Sequence, residues 1–213
     1  MLTAMKKLVS ILMCALLICT CFTGCKSANA ELTEENVTKT VEIAMEALKD
    51  FDTKKMSKYI ESESLSTIMT YAKGKKQIGE LGRAIFENLT YEVKSVDLEN
   101  MNVVVTVRNK DMYNEATNFA NSLKSNYNSF ELLAAFSNDE FLNTKLDILK
   151  KTIDGCELSA NSYDIDLAII QKSKNLALGF NQTAEDIVSG GVLSAVSSIF
   201  GEAGNILGGN KEQ

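Results

Sequence analysis

The chain contains no histidine, no proline and no tryptophan. Without an imidazole it lacks the commonest general base and the commonest transition-metal ligand. Histidine-bearing zinc sites, Ser-His-Asp triads and Cys-His pairs are therefore excluded together. Cysteine is nearly as scarce where it would matter. Cys14, Cys19 and Cys21 fall in an N-terminal apolar run and Cys25 closes it, so Cys156 stands alone. A lone cysteine forms no intramolecular disulfide, and the fold must rest on its hydrophobic core. The N-terminal apolar run, residues 8–22, is also shorter than the roughly 20 residues a membrane-spanning helix needs.

What that run does carry is an export signal. Lys6 and Lys7 give it a positive start, and Thr23-Gly24 supplies small residues for cleavage. The stretch Phe22-Thr23-Gly24-Cys25 resembles the lipobox of bacterial lipoproteins, an aliphatic residue, a small residue, Gly or Ala, then Cys. Phe22 stands where leucine is usual. The resemblance implies cleavage between Gly24 and Cys25, a diacylglyceryl group on the Cys25 thiol, and a protein held on the outer face of a bacterial cytoplasmic membrane. Two or more acyl chains anchor stably, where one is marginal. Residues 1–24 are thus expected to be the signal peptide and residues 25–31 a lipid-anchored tether, with Lys26-Ser27-Ala28-Asn29-Ala30 short and polar.

Charge narrows the partners. The signal takes away Lys6 and Lys7, two of 22 basic residues, and none of the 28 acidic ones, leaving a mature formal charge of −8. Such a chain gains nothing from counterion release on nucleic acid, which is discounted as a partner. Nor does net acidity favour flat adhesion to anionic lipid. The membrane is expected to be met through the N-terminal lipid.

Periodicity predicts one α+β domain over residues 32–186. Thr33 reads as an N-cap with Leu32 and Val37 stapled across it, and Val37, Val41, Ala44, Met45, Leu48 and Phe51 form one apolar stripe. Asp52 caps a short second helix. Leu65 to Ala72 make a third, stopped at Gly74, and Ile78 to Leu89 a fourth. The period then switches to two: Tyr91, Val93, Val96 and Leu98, a turn at Glu99-Asn100, then Met101 to Val107, with a bulge near Ser95. Asp111 is read as the cap of a helix through Leu123, Phe130 to Phe136 as a short piece, and Asp139 to Ile153 as a longer helix closed by Gly155. A second hairpin runs from Tyr163 to Ile169 and back through Leu176 to Phe180. The last residues, 187–213, read as a Gly-rich amphipathic tail.

This element order, with Ala47-Leu48-Lys49-Asp50-Phe51-Asp52 closing the first helix and Gly190-Gly191 after the last hairpin, is similar to NTF2-like (cystatin-like superfamily) lipoproteins of unknown function found in bacteria such as clostridia. The resemblance implies a cone: an antiparallel sheet of two hairpins wrapped on the N-terminal helix, with a helical insertion between them. It departs at the last strand, where Leu178-Gly179-Phe180 replaces the usual Trp. Enzymes on such folds use an Asp–His pair or a Tyr with a raised-pKa Asp inside the cone. The first is impossible here. The second would draw on Tyr91 or Tyr163 with Asp164 or Asp166. Alternation sets Tyr163 with Ile165 and turns both aspartates the other way, toward solvent. Gly74-Lys75-Lys76 lacks the frame of a phosphate loop, and no acids stand at calcium-site spacing. Cys156 reads as a small apolar residue without a basic neighbour to lower its pKa. The expectation is a non-catalytic, cofactor-free module binding a small ligand or an envelope protein, with a tyrosine–carboxylate enzyme as the alternative.

Overall fold

The structure, a computed structural model, describes residues 30–195 other than Phe136. Gly24, Cys25, Phe136 and the tail beyond Ala195 lie outside the described residues. Among those described, eight helices and five strands make an α+β fold. In chain order they are α1 (Glu34–Lys49), α2 (Thr53–Tyr59), β1 (Ile60–Glu61), α3 (Glu63–Ala72), α4 (Lys76–Phe86), β2 (Thr90–Asp97), β3 (Asn102–Arg108), α5 (Tyr113–Asn126), α6 (Ser129–Ala135), α7 (Asp139–Asp154), β4 (Tyr163–Gln171), β5 (Leu176–Gly179) and α8 (Gln182–Val188).

The local chemistry explains most boundaries. Thr33 caps α1 by accepting the Asn36 amide, and Asp52 caps α2 by accepting those of Lys54 and Lys55. Asn138 does the same for α7. The expected cap at Asp111 is not formed. Met112 occupies that position without a side-chain acceptor, and the Asp111 amide donates instead to the Glu157 carbonyl. The chain there is spent on joining β3 to the segment after α7, where Lys110 and Leu158 form an isolated bridge.

The sheet runs β1-β5-β4-β3-β2. Two hairpins, β2–β3 and β4–β5, are joined by antiparallel β3–β4 pairing. The slip between Val93 and Ser95 is the bulge that the pattern near Ser95 predicts. The sheet is mixed rather than antiparallel throughout. Ile60 and Glu61 pair in parallel with Leu178 and Gly179, an edge strand too short to show a period of two.

One face of the sheet is core. Val103, Val105 and Val107 of β3 and Ile165, Leu167 and Ile169 of β4 are buried. The register sets Val105 opposite Ile165 and Val103 opposite Leu167. Helix α1 crosses this face from β5 to β2, burying Val37, Val41, Ala44, Met45 and Leu48. At its end Phe51 turns into the left-handed region (φ 50°) and its ring stacks on Phe86 at 6.3 Å. The insertion α5–α7 has its own smaller cluster of Ala120, Leu123 and Leu132, flanked by Phe119, Tyr127 and Phe141. The main core continues beyond residue 186, since Val188, Val192, Leu193 and Ala195 are buried in it.

Candidate functional site

The interior between α1 and the sheet is occupied by the apolar side chains just described. Two concave features of the described residues lie at the surface instead. One is a cleft of about 210 Å³ where the end of β3, the start of β4 and the segment after α8 meet. Such a volume is smaller than that of a typical drug-sized site.

Its framework is polar and tightly tied. Asn109, just after β3, is buried, and its amide nitrogen donates to the carbonyls of Ile85 (2.9 Å) and Val188 (2.8 Å). One side chain thereby fastens the ends of α4 and α8 to the sheet. Lys110 is also buried, with Nζ donating to the carbonyls of Ile153 (3.2 Å) and Asp154 (3.1 Å). An ammonium there complements the negative end of the α7 dipole and satisfies carbonyls that have no partner within the helix.

Gly190 and Gly191 close the framework. Both have positive φ, 59° and 87°. A Cβ on Gly190 would stand 2.1 Å from the Lys110 carbonyl oxygen, and one on Gly191 2.6 Å from Tyr113 Cβ. The pair turns the chain out of α8 and brings it against the β3–α5 connection, where the Met112 amide donates to the Gly190 carbonyl at 3.0 Å. Around the opening stand Arg108, Tyr113, Tyr163 and Asp186. Arg108 Nε donates to the Ser159 carbonyl at 2.7 Å. The tyrosines are half exposed, 50% for Tyr113 and 48% for Tyr163. Two accessible rings and a guanidinium can stack on and hydrogen-bond a small polar ligand or a partner's side chain.

The residues singled out for tyrosine–carboxylate chemistry do not converge. Tyr163 lines the cleft, whereas Asp164 and Asp166 project from the solvated face. Asp164 pairs with Lys94 and accepts from Thr106 Oγ1 at 2.6 Å, and Asp166 accepts from Asn102 at 3.3 Å. The hydrogen bonds from Lys94 and Thr106 hold the Asp164 carboxyl below the ordinary carboxylate range. Tyr91 has a different partner, donating to Glu46 Oε1 of α1 at 3.2 Å. Burial, then the charge of Glu46, pushes its phenol well above the ordinary tyrosine value. A phenol shifted that way holds its proton and is a poor base. Cys156 is half-buried, and burial with the nearby carboxylate of Glu115 raises its thiol pKa. That is the opposite of an activated nucleophile.

Sequence reasoning passed over Asn109, Lys110 and Arg108. The signal available was a run of three polar residues at the end of an apolar strand, which reads equally well as the start of a solvated loop. Among the described residues no group of three or more His, Cys, Asp or Glu side chains is placed to hold a metal, and no helix is long and apolar enough to cross a membrane. Comparison with known proteins finds no family model, curated protein or solved structure that matches the chain.

Proposed function

We propose that this is a lipid-anchored binding module of the bacterial cell envelope, fixed through Cys25 to the outer face of the cytoplasmic membrane. Its domain is read as an NTF2-like cone whose interior is filled, leaving the cleft of Arg108, Tyr113 and Tyr163 at its mouth to take a small ligand or part of an envelope protein.

The observation that carries this reading is the placement of β4. Its last residue, Gln171, donates from Nε2 to the Ala30 carbonyl at 2.9 Å, where the tether joins the fold. Its first residue, Tyr163, lines the cleft. Eight steps of about 3.3 Å separate the two ends by about 26 Å. An anchor at one end leaves the cleft facing away from the bilayer, open to a partner.

The role is non-catalytic. Tyr163 with Asp164 gives no support to a tyrosine–carboxylate enzyme, because the two side chains leave opposite faces of the strand. The test is metabolic labelling with palmitate and fractionation of the producing cells. Labelled, membrane-bound protein is expected, and Cys25→Ala should abolish the label and leave the precursor uncut. Wild-type protein released without label would overturn the anchor.

A further inference from the structure

The end of β4 that receives the tether is also where lysine collects. The turn after Gln171 carries Lys172 and Lys174, and Asn175 Nδ2 donates to the Lys58 carbonyl at 3.1 Å, laying α2 against the turn. Between α2, β1 and α3 runs an open groove of about 630 Å³, with Lys54, Lys73 and Lys172 on its walls and Thr53 and Ser66 between them. Its one lining carboxylate, Glu61, is paired with Lys172 at 2.9 Å. Lys54 and Lys73 make no ion pair among the described residues. On a chain with eight more acids than bases in its mature part, this is a local reversal of sign.

We propose that this lysine groove rests on the headgroup phosphates of the anionic bilayer that holds the anchor. The proposal rests on the reading of Cys25 as the lipidated residue. Five residues of chain from Cys25 to Ala30 reach at most about 18 Å, so the pole bearing Gln171 is held near the lipid surface. At physiological salt a surface potential fades over about 8 Å, and only charge at that pole feels it. The ammonium groups supply the attraction, and the hydroxyls of Thr53 and Ser66 offer donors to phosphate oxygens. Glu31, Glu34 and Glu35 are exposed beside the tether and in the first turn of α1, and like charge favours an orientation that turns them off the surface. The lipid fixes position and the groove fixes orientation.

The test uses the mature chain with Cys25→Ser, which takes no lipid, and vesicles of phosphatidylcholine with or without one-third phosphatidylglycerol. Sedimentation is expected to carry the protein down with the anionic vesicles at low salt and to lose it as salt rises. Each lysine near such a surface contributes roughly fivefold, so Lys54→Gln, Lys73→Gln and Lys172→Gln together should weaken binding on the order of 100-fold. A matched set on the insertion, Lys124→Gln, Lys145→Gln and Lys151→Gln, should leave it unchanged, with circular dichroism the same for all. Equal binding to neutral vesicles, or equal loss from both triple variants, would overturn the proposal. So would a groove that takes soluble glycerol phosphate yet ignores vesicles. Because no acyl chain is present, vesicle binding stands or falls separately from palmitate labelling at Cys25.

Discussion

At the Tyr163 end of β4, buried Asn109 and Lys110 and the paired turns of Gly190 and Gly191 draw three helix ends onto the sheet. At the Gln171 end, a four-residue turn is tied to α2 by the single side chain of Asn175, and exposed lysines surround it. The first end is specified by shape, with groups that fit only one way and lose a partner when altered. The second is specified by charge, which tolerates displacement and acts over several ångströms. A molecule built this way can hold a defined cleft at one pole while the other, as we propose, rests on an irregular, fluid bilayer.

The largest break in that contrast should come from Gly190→Ala. Its methyl group meets the Lys110 carbonyl at 2.1 Å and its backbone must keep a φ of 59°. Overpacking and left-handed strain together should cost about 2–4 kcal/mol. A thermal melt should fall by roughly 5–15 °C for a domain of this size. An unchanged Tm would show the shape-specified end to be looser than described.

Asn109→Ala and Asn175→Ala sharpen the same comparison, since both remove a buried amide, one from each pole. Loss of Asn109 strands the carbonyls of Ile85 and Val188, and urea unfolding should show about 2–3 kcal/mol. Loss of Asn175 frees the Lys58 carbonyl, which is only part-buried, and the carbonyl of its own neighbour Leu176, for about 1–2 kcal/mol. If the order reversed, the two poles would not differ as argued. Lys172→Gln breaks only a partly exposed pair with Glu61 and should shift stability by less than about 1 kcal/mol.

The smallest effect concerns the sheet between the poles. Lys94 and Thr106 lower the pKa of Asp164 in the folded state. Its contribution is therefore full above the ordinary aspartate value of about 4 and fades as pH falls through the lower folded value. Asp164→Asn should lower Tm slightly at neutral pH, and the difference from wild type should vanish in acid melts. A difference that grew in acid would reverse the sign of this linkage.

Much of the architecture was legible because it is local. The stripe from Val37 to Phe51, the caps at Thr33 and Asp52, the bulge near Ser95 and the turn at Lys172 each follow from a few neighbouring residues. What stayed hidden depends on partners far along the chain. Two residues of β1 carry no period, and their pairing with Leu178 and Gly179 is invisible until the sheet exists. Asn109 and Lys110 look like a solvated exit from a strand, yet their partners at Ile85, Val188 and Ile153 bury them. Gly190 and Gly191 looked like dilution of a helix, and only the nearness of Lys110 and Tyr113 shows why a side chain has no room there.

The parallel pairing of β1 with β5 has a consequence in time. Strand β5 lies between β1 and β4, so β1 has no strand to pair with until residues 176–179 arrive. Contacts separated by more than a hundred residues form slowly, because a large loop must close first. A polypeptide emerging from its N-terminus thus cannot complete its sheet until residues 176–179 have followed.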